Sequence, residues 1–83
     1  MLINIGLSNL VAREKIVSVV SPEAAPIKRA VALAKENRKL IDATGGRKTK
    51  SVIFFDSDQI VLSYLSPEVI EARVNMEDNN EQR

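Results

Sequence analysis

Neither cysteine nor histidine occurs anywhere in the 83 residues, and that double absence limits the fold more than any motif does. A chain this short buries a modest fraction of its surface, so a single core leaves it little margin. Disulfides and structural zinc are the usual staples of small domains, and both need side chains this chain lacks. Oligomerisation is the common remedy that remains. The length fits one domain. A cysteine-free chain suits a reducing compartment. The opening Met1-Leu2-Ile3-Asn4-Ile5-Gly6 has no basic n-region and no long apolar stretch. No run approaches the roughly 18 apolar residues that cross a bilayer. The expectation is a cytoplasmic protein with no membrane partner.

The order of elements can be read along the chain. Gly6-Leu7-Ser8-Asn9 reads as a turn between two short strands. Ile16-Val17-Ser18-Val19-Val20 reads as a buried strand, because β-branched side chains fit a pleated surface. Ser21 to Pro26 breaks it, and a helix follows with Pro26 near its first turn, where the missing N–H does no harm. Ile27, Ala30, Val31 and Ala34 share one face at helical spacing. The helix is predicted to end near Asn37–Lys39. Leu40 to Thr44 reads as a strand, and Gly45-Gly46 as a two-residue hairpin turn leading into a strand from about Lys48 to Phe55. Asp56-Ser57-Asp58 reads as a polar turn whose carboxylates cap the backbone. Gln59 to Leu65 is the last predicted strand. Ser66-Pro67 opens a short helix through about Val74. Residues 75–83 form a polar tail without periodicity, predicted to be disordered.

The fold class is therefore α+β: a small, mainly antiparallel sheet with one central helix and a short C-terminal helix, in one domain over residues 1–74. Several strands are apolar on both faces. Either the helix and a curled sheet cover them, or part of that surface meets a second copy.

Net charge is only +1, but it is segregated. Residues 27–50 carry eight basic groups against two acids, whereas residues 51–83 carry two against seven. The local field is thus much stronger than the total implies. Without thiol or imidazole there is no thiolate nucleophile and no histidine base. No Walker loop or dinucleotide fingerprint occurs. An enzyme, a cofactor, a metal site or a small-molecule substrate is not expected.

Thr44-Gly45-Gly46-Arg47-Lys48-Thr49-Lys50-Ser51 is the most informative stretch. As a hairpin it would project Arg47 and Lys48 at the tip of a ribbon, with Lys50 on the face of Lys48. Thr49 and Ser51 could then donate to phosphate oxygens. Such a ribbon can enter a DNA groove. It is equally a solvated turn, charged for solubility or to blunt a strand edge. The three aromatic residues read as core, so base stacking on single strands finds little support.

The chain also closely resembles the bacterial RemA family of extracellular matrix regulatory proteins, also called YlzA-like. The resemblance rests on Asn4 to Val11, Ser21 to Arg29, Leu40 to Thr44, Asp56-Ser57-Asp58 and Ile60 to Ser63, and covers roughly residues 1–73. It implies a DNA-binding transcription regulator of biofilm matrix and osmoprotection genes, with a LytTR-like fold, assembled into a ring around which duplex DNA wraps. The family pattern Gly-Arg-Arg-Thr-Arg stands here as Gly46-Arg47-Lys48-Thr49-Lys50. It therefore implies DNA contacts by Arg47, Lys48 and Lys50, and by Lys15 before the strand that follows it. Lys28 and Arg29 are family-typical cations that either touch DNA or serve the helix surface and subunit contacts. Pro26, Gly45 and Gly46 are implied to be structural. Lys15, Lys48 and Lys50 replace family arginines, and lysine lacks the bidentate fork, so phosphate contact is expected to survive better than base reading. The remaining alternatives are a protein-interaction module with an acidic partner and an RNA-binding protein.

Overall fold

The computed structural model describes residues 1–81, with side chains described through Met76. Nine segments follow in order. They are β1 (Leu2–Asn4), β2 (Leu10–Ala12), a 3-10 turn (Arg13–Lys15), β3 (Ile16–Val20), α1 (Ala25–Glu36), β4 (Leu40–Asp42), β5 (Ser51–Phe55), β6 (Ile60–Ser63) and α2 (Pro67–Glu81). The α+β expectation holds at this level.

A four-stranded sheet in the order β3-β5-β6-β4 forms the middle layer. β5 is antiparallel to both β3 and β6, whereas β4 runs parallel to β6. The β5–β6 connection is the predicted polar turn, with Phe55 N–H donating to Gln59 O at 3.1 Å. The two edge strands, β3 and β4, are joined by α1, which crosses one face. Its predicted apolar face, Ile27, Ala30, Val31 and Ala34, packs there on Val52, Ile60, Phe54, Leu62, Val20 and Leu40. Pro26 occupies the second position of the helix. The helix stops in a Schellman pattern: Lys39 N–H donates to Ala34 O (2.8 Å) and Arg38 N–H to Lys35 O (3.2 Å). Arg38 takes the left-handed position, at φ +59°.

The opposite face carries a second layer. β1 and β2 pair antiparallel, and α2 lies beside them. Ile3, Ile5, Ala43, Ile53, Val61 and Ile70 form the core there, with Ile5, Ile53 and Ile70 fully buried. Side chains alternate across a strand, so Val52 and Phe54 point to α1 while Ile53 and Phe55 point to the layer of β1, β2 and α2. The central strands β5 and β6 are thus covered on both faces by their own chain.

Three expectations are corrected. β4 and β5 do not form a hairpin; β6 lies between them, and residues 43–50 step over its C-terminal end. Strand β3 is less buried than its composition suggests, because it is an edge strand with a bulge between Ile16 and Ser18 that leaves Val17 67% exposed. Helix α2 runs on past Val74 to Glu81. The expected tail therefore starts within the helix, and its last two residues, 82 and 83, lie outside the described residues. No described helix is long and apolar enough to cross a membrane.

Candidate nucleic-acid interface

The basic segment is a crossover loop built on a tight turn. Asp42 starts it: its Oδ1 accepts from Thr44 N–H (2.9 Å) and from Thr44 Oγ1 (2.6 Å). Those two bonds, the hydroxyl's above all, hold the Asp42 carboxyl below its ordinary pKa. Arg47 N–H then donates to Thr44 O at 3.1 Å, closing a four-residue turn with Gly45 at φ +62° and Gly46 at φ +84°. Both central angles are those of a type I′ turn, which is why two glycines stand there. The turn is thus the one the two glycines predict. The strands it joins are not paired as predicted, because β6 lies between them.

Arg47, Lys48 and Lys50 are exposed, and among the described residues none of the three is in an ion pair. The Arg47 guanidinium sits over the Tyr64 ring, 5.1 Å from its centroid. Residues 48–50 precede β5, so the period-two rule that placed Lys48 and Lys50 on one face does not apply. Lys50 is anchored by its backbone, whose N–H donates to Ser63 O at 2.9 Å. Ser51 is not available to a ligand: it is fully buried and its hydroxyl donates to Leu65 O at 2.6 Å. Thr49 is half-buried.

The other candidate cations divide. Lys28 meets the loop, since it and Thr49 line one depression of about 250 Å³ with Pro22, Val31, Val52 and Leu62. Arg29 is exposed on α1, about 100° further round the helix than Lys28. Lys15 lies at the other end of the sheet: its carbonyl accepts from Asp56 N–H just past β5, and its ammonium is 3.9 Å from the Asp56 carboxylate. β5 separates it from Lys50 by about 15 Å of strand. Both Lys15 and Asp56 are solvent-exposed, so their attraction is weak. Within one subunit, then, Arg47, Lys48, Lys50 and Lys28 gather at one end and Lys15 does not join them.

Two contributors were missed in the sequence. The sequence places Tyr64 in the core, whereas it is half-buried beneath Arg47. The turn Gly6–Asn9 also reaches the loop, because Asn9 Nδ2 donates to Gly6 O (2.8 Å) and Ala43 O (3.4 Å). No local signal links residues 6–9 to 43–47; only the packed sheet does. Among the described residues no cluster of acids is arranged to hold a metal ion.

Known proteins resemble this chain over nearly its whole length. The model of the RemA-like family, described as extracellular matrix regulatory protein A-like, matches residues 2–74. A protein of Oceanobacillus iheyensis named for a regulatory role is 55% identical over 73 residues, 88% of this chain and 85% of its own. A relative from Alkaliphilus oremlandii, also named as a regulatory protein, is 52% identical over 81 residues, covering 98% and 87% of the two chains. One from Carboxydothermus hydrogenoformans, named likewise, is 49% identical over 80 residues, covering 96% and 92%. The matched span takes in the basic loop, both layers of core and the start of α2, and on that ground the chain belongs to the RemA-like family of regulatory proteins.

Proposed function

We propose that this protein is a non-enzymatic regulator that binds duplex DNA through the loop 43–50, as a homo-oligomer in which that loop is repeated around a ring. The observation that carries the reading is the set of three exposed loop cations that have no counter-ion among the described residues, gathered with Lys28 at one end of the sheet. Unneutralised cations on a braced turn suit a polyanion, whose condensed counter-ions are released on contact. Three or four phosphate contacts bind weakly. Repetition along one duplex raises the effective concentration of each successive contact.

Self-association is supported by the sheet edges. β3 and β4 are both open, and each carries an exposed apolar residue, Val17 at 67% and Ile41 at 47%. The two edges are different surfaces, so copies joined through them meet head to tail, the geometry that closes into rings. Lys15 would then reach DNA alongside a neighbouring subunit's loop. Regulation of matrix genes is the expectation that accompanies the family description.

Light scattering behind a size-exclusion column tests this, with and without a duplex of about 100 base pairs, at low and high salt. The expected result is a discrete oligomer that shifts onto DNA at low salt and leaves it at high salt. A monomer indifferent to DNA overturns the reading. Binding that survives high salt, or that prefers structured RNA, would replace it with a protein-interaction or an RNA-binding function.

A further inference from the structure

Leu7 is an exposed leucine in a backbone conformation that leucine avoids. Its φ is +54°, between Gly6 at +112° and Ser8 at +63°, and the residue is 44% exposed. A left-handed position of this kind persists only where the surroundings over-determine it. Here they do. Asn4 Oδ1 accepts from Gly6 N–H at 2.7 Å, and Asn9 N–H donates to Gly6 O at 3.0 Å. Ile5 N–H donates to Asn9 O at 2.9 Å, and Ser63 Oγ donates to Ile5 O at 2.7 Å.

The turn so held places Leu7 on the basic loop. A carbon added to Gly45 would come within 2.5 Å of Leu7 Cδ1 and 3.5 Å of Arg47 Nη1. The leucine methyl and the guanidinium therefore flank the same glycine. Burial does not explain the leucine, since nearly half of it still faces solvent. Asparagine or glycine would fit this backbone with less strain.

We propose that Leu7 is a direct DNA contact, the uncharged half of the site whose charged half is Arg47. This rests on the DNA-binding reading above. An apolar side chain cannot hold a phosphate; it packs against deoxyribose and base edges in the minor groove, or wedges at a base step. The cations then supply salt-dependent affinity, and Leu7 adds a term that depends on groove width and step flexibility but not on salt. This would let a site with few bidentate donors still prefer some sequences.

The test is the salt dependence of duplex binding for the whole protein and its variants. Leu7→Asn keeps the turn, because asparagine tolerates the left-handed region, and removes the apolar contact. Its thermal midpoint is expected to match or exceed that of the parent. Its affinity for a 30-base-pair duplex is expected to fall about fivefold at every salt concentration, with an unchanged slope of log K on log salt. Leu7→Met should restore most of the affinity. Arg47→Ala, by contrast, should flatten the slope by about one. Parental affinity in Leu7→Asn overturns the proposal and leaves Leu7 as a cover for Gly45. A flattened slope in Leu7→Asn also overturns it, since the residue would then act through Arg47. If the parent protein itself fails to bind duplex DNA at low salt, the failure lies in the DNA-binding reading.

Discussion

The Arg47 guanidinium lies over the Tyr64 ring at 5.1 Å from its centroid, and so the one arginine of the loop rests on an aromatic support. Tyr64 in turn packs on Gly6, where an added carbon would come within 2.7 Å of its ring. The stacking fixes the direction of Arg47 and contributes about 0.5–1 kcal/mol at an exposed site. Tyr64→Phe keeps the ring and is expected to bind DNA like the parent. Tyr64→Ala should weaken binding several-fold although no charge is lost. Fluorescence anisotropy with a labelled duplex separates the two; equal binding by both variants would show that the ring does not matter.

Gly45 and Gly46 are not equivalent despite their shared positive φ. Alanine at Gly46 meets nothing within 4 Å and should cost only the left-handed strain, about 1 kcal/mol. Alanine at Gly45 also collides with Leu7 Cδ1, and should cost about 1 kcal/mol more. Urea denaturation of both variants measures the difference. An identical loss at the two positions would mean that Leu7 moves freely.

Arg38 occupies the left-handed cap of α1, where glycine is the usual residue. Arg38→Gly should stabilise the protein by about 0.5–1 kcal/mol, seen as a higher thermal midpoint. It removes a surface cation remote from the loop, so DNA affinity should change little.

The acid limb of stability should report on Asp42. Its carboxyl titrates below its ordinary 3.8 in the folded protein because Thr44 donates two hydrogen bonds to the ionised form. A lowered folded pKa gives stability that is present above the unfolded value and lost as pH falls through the folded one. The thermal midpoint of the parent should therefore drop as pH falls below about 4. Asp42→Asn should be less stable at neutral pH and show a shallower drop. Parallel pH profiles would rule out the Asp42–Thr44 contribution.

Much of this arrangement is legible in the sequence, and most of what is not traces to strand order. Local chemistry was readable: the Gly6–Asn9 reversal, the apolar face of α1 with Pro26 in its first turn, the turn angles at Gly45 and Gly46, and the polar turn at Asp56–Asp58. Strand order was not. Gly45-Gly46 next to two β-rich segments favours a hairpin, but β4 aligns with β6 instead, and the loop becomes a crossover. From that single difference follow the loss of Ser51 to the interior and the position of Tyr64 under Arg47. The resemblance implies a DNA contact for Lys15 without placing it, and in the structure it sits at the far end of β5 from the loop. The end of α2 was missed because the polar residues after Val74 carry no apolar periodicity, the signal on which a helix is read.

Whether the loop cations bind duplex DNA is decided by a salt titration of DNA binding by the parent and by Arg47→Glu. Parental binding should weaken steeply with salt, by a slope of about 0.9 per phosphate neutralised, and charge reversal at Arg47 should abolish binding while leaving the oligomer intact. Parental binding that Arg47→Glu leaves unchanged would contradict that role, and the loop would be a solvated crossover with no part in holding DNA.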